Sequence, residues 1–157
     1  MILHKTHWLQ FILGVIALGV GVVFYMYCRP SQDVYFIRFF QFHSAGEKAC
    51  LYSFVNNLPT FIHTFAFSLM TVGLLACSKS CHFYVVAGWV GFDMGLEILQ
   101  GKIHLLPNLS EKLFFLPFFD NTKNYIEFGV FDSLDMLSIL LGGVAAYGIL
   151  CVLNKRE

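Results

Sequence analysis

The sequence predicts an all-α membrane protein of four transmembrane helices, joined in part by two long, aromatic-rich outward loops. The first observation is composition: 57% of the 157 residues are hydrophobic and 13% are charged. Soluble domains are usually about 45–50% apolar and about 25% charged. The second is a set of four apolar segments near the length of about 20 residues that a helix needs to cross a bilayer. The third is a pair of carboxylates, Asp93 and Glu97, inside one of these segments. All of this fits one membrane domain over residues 1–157.

The first two predicted spans are residues 8–27 and residues 58–77. The first carries no charged residue, and bulky residues rather than a small-residue cleavage site follow it, which favours a retained helix over a signal peptide. Pro30 ends it, because proline cannot continue a helix. Pro59 fits the first turn of the second span, where its missing N–H is harmless.

The third and fourth predicted spans are residues 83–100 and residues 133–153, and residues 78–82 form the tight turn before the third. Asp93 and Glu97 are four residues apart, so both carboxylates project from one face of the third span. Asp132 or Ser133 is expected to cap the N-terminus of the fourth.

The two long connections, residues 28–57 and 101–131, are unusual because each contains an apolar aromatic run. We expect these runs to lie in the membrane interface or to fold over one mouth of the bundle. Four spans place both termini on one side of the membrane. The density of lysine and arginine in the short segments on that side predicts cytoplasmic termini.

Charge and cysteine content narrow the classes of partner. Ten basic and ten acidic residues balance to a net charge of zero, so we expect no nucleic-acid partner. The five cysteines are an odd number and are interpreted mainly as small apolar residues. No pattern in the sequence predicts a cofactor or a metal site.

Polar residues in three of the spans form the candidate site. The expected depths of these residues agree, because the second and fourth spans begin, and the third ends, on the outward side. The residues expected to converge near the outward end of the bundle are His63, Glu97, Gln100, Asp132 and Asp135. Ionisable groups inside a membrane mark functional sites by default, and Glu97, Gln100 and Asp135 are the preferred core of this one.

Each candidate also has a structural interpretation. His63 alone is typical of a hydrogen-bonded histidine within a bundle, and Gln100 of a contact between helices. Asp132 alone is typical of a helix cap. Asp93, the deepest acid, is expected to be protonated or bonded to Thr64 or Ser68 of a neighbouring span.

Glu97 and Gln100 form an E-x-x-Q pattern at the end of the third span, and residues 129–135 followed by Gly142 lead into the fourth. Together with residues 59–67, these stretches resemble the VanZ-like family of small bacterial membrane proteins, over roughly residues 55–148. Residues 59–67 are similar to its earlier span, which carries a histidine near its start. Val130 stands where the family commonly has arginine, so the acids lack that counter-ion here. The resemblance implies a bundle of four to five helices in the bacterial inner (plasma) membrane. Its founding member is linked to resistance against the glycopeptide antibiotic teicoplanin.

Three functions remain open from the sequence. The first is an outward acidic pocket that binds an envelope or lipid-linked small molecule, with membrane lipids as neighbours. The second is an accessory subunit of a larger membrane complex, whose basic residues would pair with the acids. The third is a membrane-embedded enzyme that handles a metal or protons. No recognised catalytic motif supports the third, so the sequence favours a protein that is not an enzyme and assigns no catalytic residue.

Overall fold

The computed structural model describes residues 2–28, 53–76, 78–102 and 131–154. These residues form the helices α1 (Ile2–Cys28), α2 (Ser53–Leu75), α3 (Lys79–Lys102) and, after the second long connection, α4 (Ser133–Asn154). The predicted all-helical architecture is confirmed for this part of the chain. The aromatic runs of the two long connections lie outside the described residues.

Three of the described helices are long and apolar enough to cross a membrane: His7–Phe24 in α1, Asn57–Leu75 in α2 and Ser133–Asn154 in α4. Their outer faces are apolar, and side chains such as Val20, Val23 and Val144 are more than half exposed. A surface of this kind is expected where lipid rather than water surrounds a bundle. These three helices support the prediction of an integral membrane protein.

Two local predictions are wrong at the helix ends. α2 begins at Ser53, so Pro59 lies inside the helix rather than in its first turn. The segment predicted as a tight turn, residues 78–82, is almost wholly the start of α3, where the Cys81 N–H already donates to the Ser78 carbonyl. The reversal occurs instead at Ala76, which follows α2 with a left-handed φ of 46°. A residue in this conformation commonly ends a helix, although it is usually glycine.

Glycines set the close, antiparallel contact between α1 and α2. A Cβ atom on Gly14 would lie 2.8 Å from the Ala66 carbonyl oxygen, and one on Gly73 would lie 2.7 Å from the His7 carbonyl oxygen. Small residues let helix backbones approach in this way inside membranes. Gly21 meets Ile62 near the other end of the pair, so α1 begins where α2 ends.

α4 packs against both α2 and α3 through adjacent glycines. A Cβ atom on Gly142 would lie 2.5 Å from the Phe61 carbonyl oxygen of α2, and one on Gly143 would clash with Val90 of α3. These contacts fix α4 parallel to α2 and antiparallel to α3. The end of the bundle where α2 and α4 begin and α3 ends is called here the carboxylate end.

The buried apolar residues gather in the half of the bundle away from the carboxylate end. We call this group the apolar core; its members are Leu69, Val72, Val86, Ala146 and Leu150. They come from α2, α3 and α4, whose interior is polar at the carboxylate end and apolar around this core. Beyond the core, at the far end, buried His82 and Asn154 form a further polar contact of 3.0 Å.

Candidate functional site

The first turn of α4 places two carboxylates at the carboxylate end. Asp132 caps the helix, since its Oδ1 accepts a hydrogen bond of 2.8 Å from the Leu134 N–H and its carbonyl oxygen accepts from the Asp135 N–H. The predicted capping role of Asp132 is thus confirmed. Asp135 lies three residues further along, which keeps both side chains on one face.

α2 supplies neutral donors to these two carboxylates. The Asn57 amide donates to Asp132 at 3.2 Å and to Asp135 at 2.9 Å. The Thr60 hydroxyl donates to the same Asp135 oxygen at 2.8 Å. Asn57 is 4% exposed, so an amide with both hydrogens in reach of carboxylates lies inside the bundle rather than on its rim.

α3 adds the third carboxylate. Glu97 is 3% exposed, and its Oε1 accepts a hydrogen bond of 2.8 Å from the backbone N–H of Asp132. Asp135 and Asp132 both lie close enough to Glu97 to interact with it electrostatically. We call these three acids, together with Asn57 and Thr60, the carboxylate cluster.

The charge of the carboxylate cluster is unbalanced within the described part of the chain. Among the residues whose side chains are described there, no lysine, arginine or histidine makes an ion pair with Glu97, Asp132 or Asp135. Like-charged carboxylates in one buried site repel one another unless a proton or a cation joins them. The site is therefore complementary to positive charge.

A second polar layer lies one turn deeper. Asp93 is 8% exposed and its Oδ2 accepts a hydrogen bond of 2.6 Å from the Thr64 hydroxyl. The same oxygen lies 3.3 Å from Nδ1 of His63. We call Asp93, Thr64 and His63 the Asp93 layer. Its bond between Asp93 and Thr64 is one of those that the sequence predicted. The layer also removes His63 from the group in which the sequence placed it, because His63 pairs with Asp93 and not with the carboxylate cluster.

Two aromatic rings contact His63. Its ring centroid lies 4.4 Å from that of Phe67 and 6.1 Å from that of Trp89. The Trp89 N–H donates to the Thr71 hydroxyl at 2.9 Å, which holds the indole between α2 and α3. The His63 side chain remains 44% exposed between these helices.

Gln100 is buried one turn beyond Glu97 at the end of α3. Within the described residues no hydrogen bond joins its amide to the carboxylate cluster. The structure thus brings together Glu97, Asp132 and Asp135 from the candidate residues and leaves Gln100 beside them without a direct bond.

The sequence reasoning missed Asn57 and Thr60. Their signal was present, since the polar residues of α2 that face the interior recur at helical spacing. These residues are Asn57, Thr60, Thr64, Ser68 and Thr71. Each alone is unremarkable in a membrane helix, and only the register of α2 against α4 shows that the first two meet carboxylates.

No group of three or more histidine, cysteine, aspartate or glutamate side chains in the described ranges is arranged to hold a metal ion. Comparison with protein-family models, with curated proteins and with solved structures finds no match. The resemblance to the VanZ-like family therefore stays a prediction from short motifs.

Proposed function

We propose that this chain is a VanZ-like protein of the bacterial inner membrane that binds the cationic group of an envelope or lipid-linked small molecule at its carboxylate cluster. The observation that carries the proposal is the set of three buried or half-buried carboxylates that only neutral donors contact within the described residues. The family's link to glycopeptide resistance motivates the choice of an envelope ligand.

The proposal includes α3 as a fourth membrane span. α3 has 24 residues, which is long enough to cross, but Asp93, Glu97 and its polar ends lower its hydropathy below that of the other three helices. Both acids are buried against α2 and α4 and turn away from the lipid side. A helix whose charged groups face the bundle interior is tolerated in a bilayer. With cytoplasmic termini, the carboxylate cluster faces outward.

The cluster suits a planar or compact cation because its acceptors come from two directions. Glu97 approaches from α3, whereas Asp132 and Asp135 approach from α4, and α2 closes the third side with Asn57. A guanidinium or ammonium group placed among them would form charge-assisted hydrogen bonds, which are roughly twice as strong as neutral ones. It would also remove the repulsion among the acids.

Calorimetric titration of the full chain in lipid nanodiscs tests this proposal. The probe is an alkylguanidinium amphiphile, and the alcohol of equal chain length is the neutral control. We expect saturable binding of the cation and none of the alcohol. Asp135→Asn should weaken the binding at least about tenfold, since a lost charge-assisted contact is worth about 1.5–3 kcal/mol. The exposed neighbour Ser133 provides a matched control, Ser133→Ala, which should bind normally. Equal binding of the two probes by the wild type, or binding of the cation by Asp135→Asn with the affinity of the wild type, would refute the proposal.

A second function uses the same charge imbalance. A partner subunit of a membrane complex could insert an arginine or lysine into the carboxylate cluster, in place of the arginine that the family commonly has where Val130 stands. Purification of the tagged chain in mild detergent, followed by mass spectrometry, separates the two functions. A stoichiometric protein partner that is lost in Asp135→Asn favours the subunit, and a chain that binds the amphiphile alone favours the small-molecule site.

A further inference from the structure

The hydroxyl group of Thr64 has two acceptors but only one hydrogen to give. Its Oγ1 lies 2.6 Å from Oδ2 of Asp93 and 3.3 Å from the backbone carbonyl oxygen of Thr60. The shorter distance falls in the range typical of an O–H bond to an ionised carboxylate. The second contact is the bond to the carbonyl four residues back that threonine commonly makes inside a helix, and it gives the Thr64 hydrogen an alternative acceptor.

The same heavy-atom positions accommodate two protonation states of Asp93. When Asp93 is ionised, it accepts hydrogen bonds from the Thr64 hydroxyl and from Nδ1 of His63. When Asp93 is protonated, its own O–H donates to the Thr64 oxygen, and the Thr64 hydrogen turns to the Thr60 carbonyl. No heavy atom has to move between the states, and neither leaves a buried donor without an acceptor, which would cost about 1–3 kcal/mol.

His63 gives this buried carboxyl group a route for protons. One ring nitrogen lies 3.3 Å from Asp93, yet the side chain is 44% exposed between α2 and α3. An imidazole can accept a proton on one nitrogen and release one from the other, and its charge changes in the physiological pH range. Among the described side chains, the other titratable groups on this half of the bundle are Glu97 and Lys102 on α3 and Asp132 and Asp135 on α4. α1 has none in residues 8–24.

We propose that Asp93 is a proton-binding site inside the membrane, loaded and emptied through His63, with Thr64 as the hydroxyl group that switches acceptor. The bond changes balance: His63 first takes a proton from outside the bundle on one nitrogen, its Nδ1–H bond then breaks as an O–H bond forms on Asp93, and a neutral imidazole remains. Loading changes the charge one helical turn from Glu97, so the site sets the electrostatic environment of the carboxylate cluster. The proposal does not require that cluster to bind any ligand.

Infrared difference spectroscopy of the full chain in lipid nanodiscs, recorded between about pH 4 and about pH 9, tests the proposal directly. A protonated carboxyl group has a carbonyl stretch that an ionised carboxylate lacks. We expect such a band in the wild type, with one component that belongs to Asp93 and appears and disappears with pH. This component should be lost in Asp93→Asn and retained in Glu97→Gln, the matched acid one turn away.

Two further variants test the assigned roles of the neighbours. Thr64→Val should keep the band but shift its frequency, because the carboxyl group loses its hydroxyl partner. His63→Gln keeps a polar side chain but cannot relay a proton, so the band should form at least about tenfold more slowly after a pH jump. Circular dichroism confirms folding of each variant, and Thr64→Val keeps the test available if Asp93→Asn does not fold. A pH-dependent carboxyl band that Asp93→Asn leaves unchanged, or an Asp93 component that does not change with pH, would overturn the proposal.

Discussion

The two halves of the bundle formed by α2, α3 and α4 differ in the character of their buried side chains, although the same three helices form both. Near the carboxylate end the interior holds three acids with neutral donors from α2. Towards the other end it holds the apolar core, in which Leu69, Val72, Ala146 and Leu150 are fully buried. Apolar packing stabilises a fold, whereas clustered like charges oppose it. The difference indicates that the apolar half maintains the bundle and that the polar half is kept for function.

The largest effect on stability is expected from a substitution that forces α2 and α4 apart where the two halves meet. In Gly142→Val, the new side chain would meet the Phe61 carbonyl oxygen, since even a Cβ atom would lie 2.5 Å from it. Overpacking usually costs about 1–3 kcal/mol, and a clash with backbone should exceed that and leave no folded bundle. Gly148→Val is the control, because a Cβ atom there has no atom within 4 Å. Thermal unfolding in detergent, followed by circular dichroism, measures both. Equal stability of the two variants would contradict the packing described for α2 and α4.

The apolar half should respond strongly to a cavity. Leu69 is fully buried, whereas Leu74 on the same helix is 75% exposed. Leu69→Ala should lower the free energy of unfolding by about 2 kcal/mol. That is the low end of the range for soluble proteins, because lipid already solvates part of the exposed apolar surface. Leu74→Ala should change it by less than about 0.5 kcal/mol. A larger loss for Leu74→Ala would show that the apolar core is misplaced; denaturant titration in mixed micelles gives both values.

Removal of the neutral donor from the carboxylate cluster should have a moderate effect. Asn57→Ala leaves Asp132 and Asp135 without their shared amide, and a buried acceptor that loses its donor costs about 1–3 kcal/mol. Asn57→Asp adds a fourth acid in place of the donor and should cost more. The same micelle titration measures these losses. A neutral result for Asn57→Ala would mean that water or another group already solvates the acids.

A substitution in the turn between α2 and α3 should have a small effect of opposite sign, an increase in the free energy of unfolding. Ala76 has a φ of 46°, a conformation that costs an L-residue roughly 1–2 kcal/mol. Ala76→Gly should therefore raise the unfolding free energy by about 0.5–1 kcal/mol, after allowance for the greater chain entropy of glycine. Ala87→Gly, on the exposed face of α3, should instead lower stability by a similar amount. A loss of stability in Ala76→Gly would show that the turn has another conformation.

Local signals in the sequence were sufficient for much of the fold. The apolar segments predicted four helices, and Asp132 before an apolar run predicted the cap of α4. The start of α2 was missed because Pro59 is typical of a first helical turn. The helix in fact begins at Ser53, five residues before the predicted start at residue 58.

The candidate site was harder to predict because it depends on helix register. Glu97, Asp132 and Asp135 stand out as acids in apolar surroundings, and the structure brings them together. Asn57 and Thr60 are short neutral residues without such a signal. His63 was assigned to the wrong partners because the sequence gives the depth of a residue in the bundle only to within one helical turn. One turn is also the distance that separates the Asp93 layer from the carboxylate cluster.

The most direct test of the account is a paired measurement on Asp135→Asn. This variant keeps an oxygen that can accept from Asn57 and Thr60 but removes one of the three charges. We predict an unfolding free energy equal to or above that of the wild type, together with at least about tenfold weaker binding of the alkylguanidinium amphiphile. Unchanged binding together with a loss of stability of more than about 1 kcal/mol would contradict the account, because the acids would then maintain the fold instead of recognising a cation.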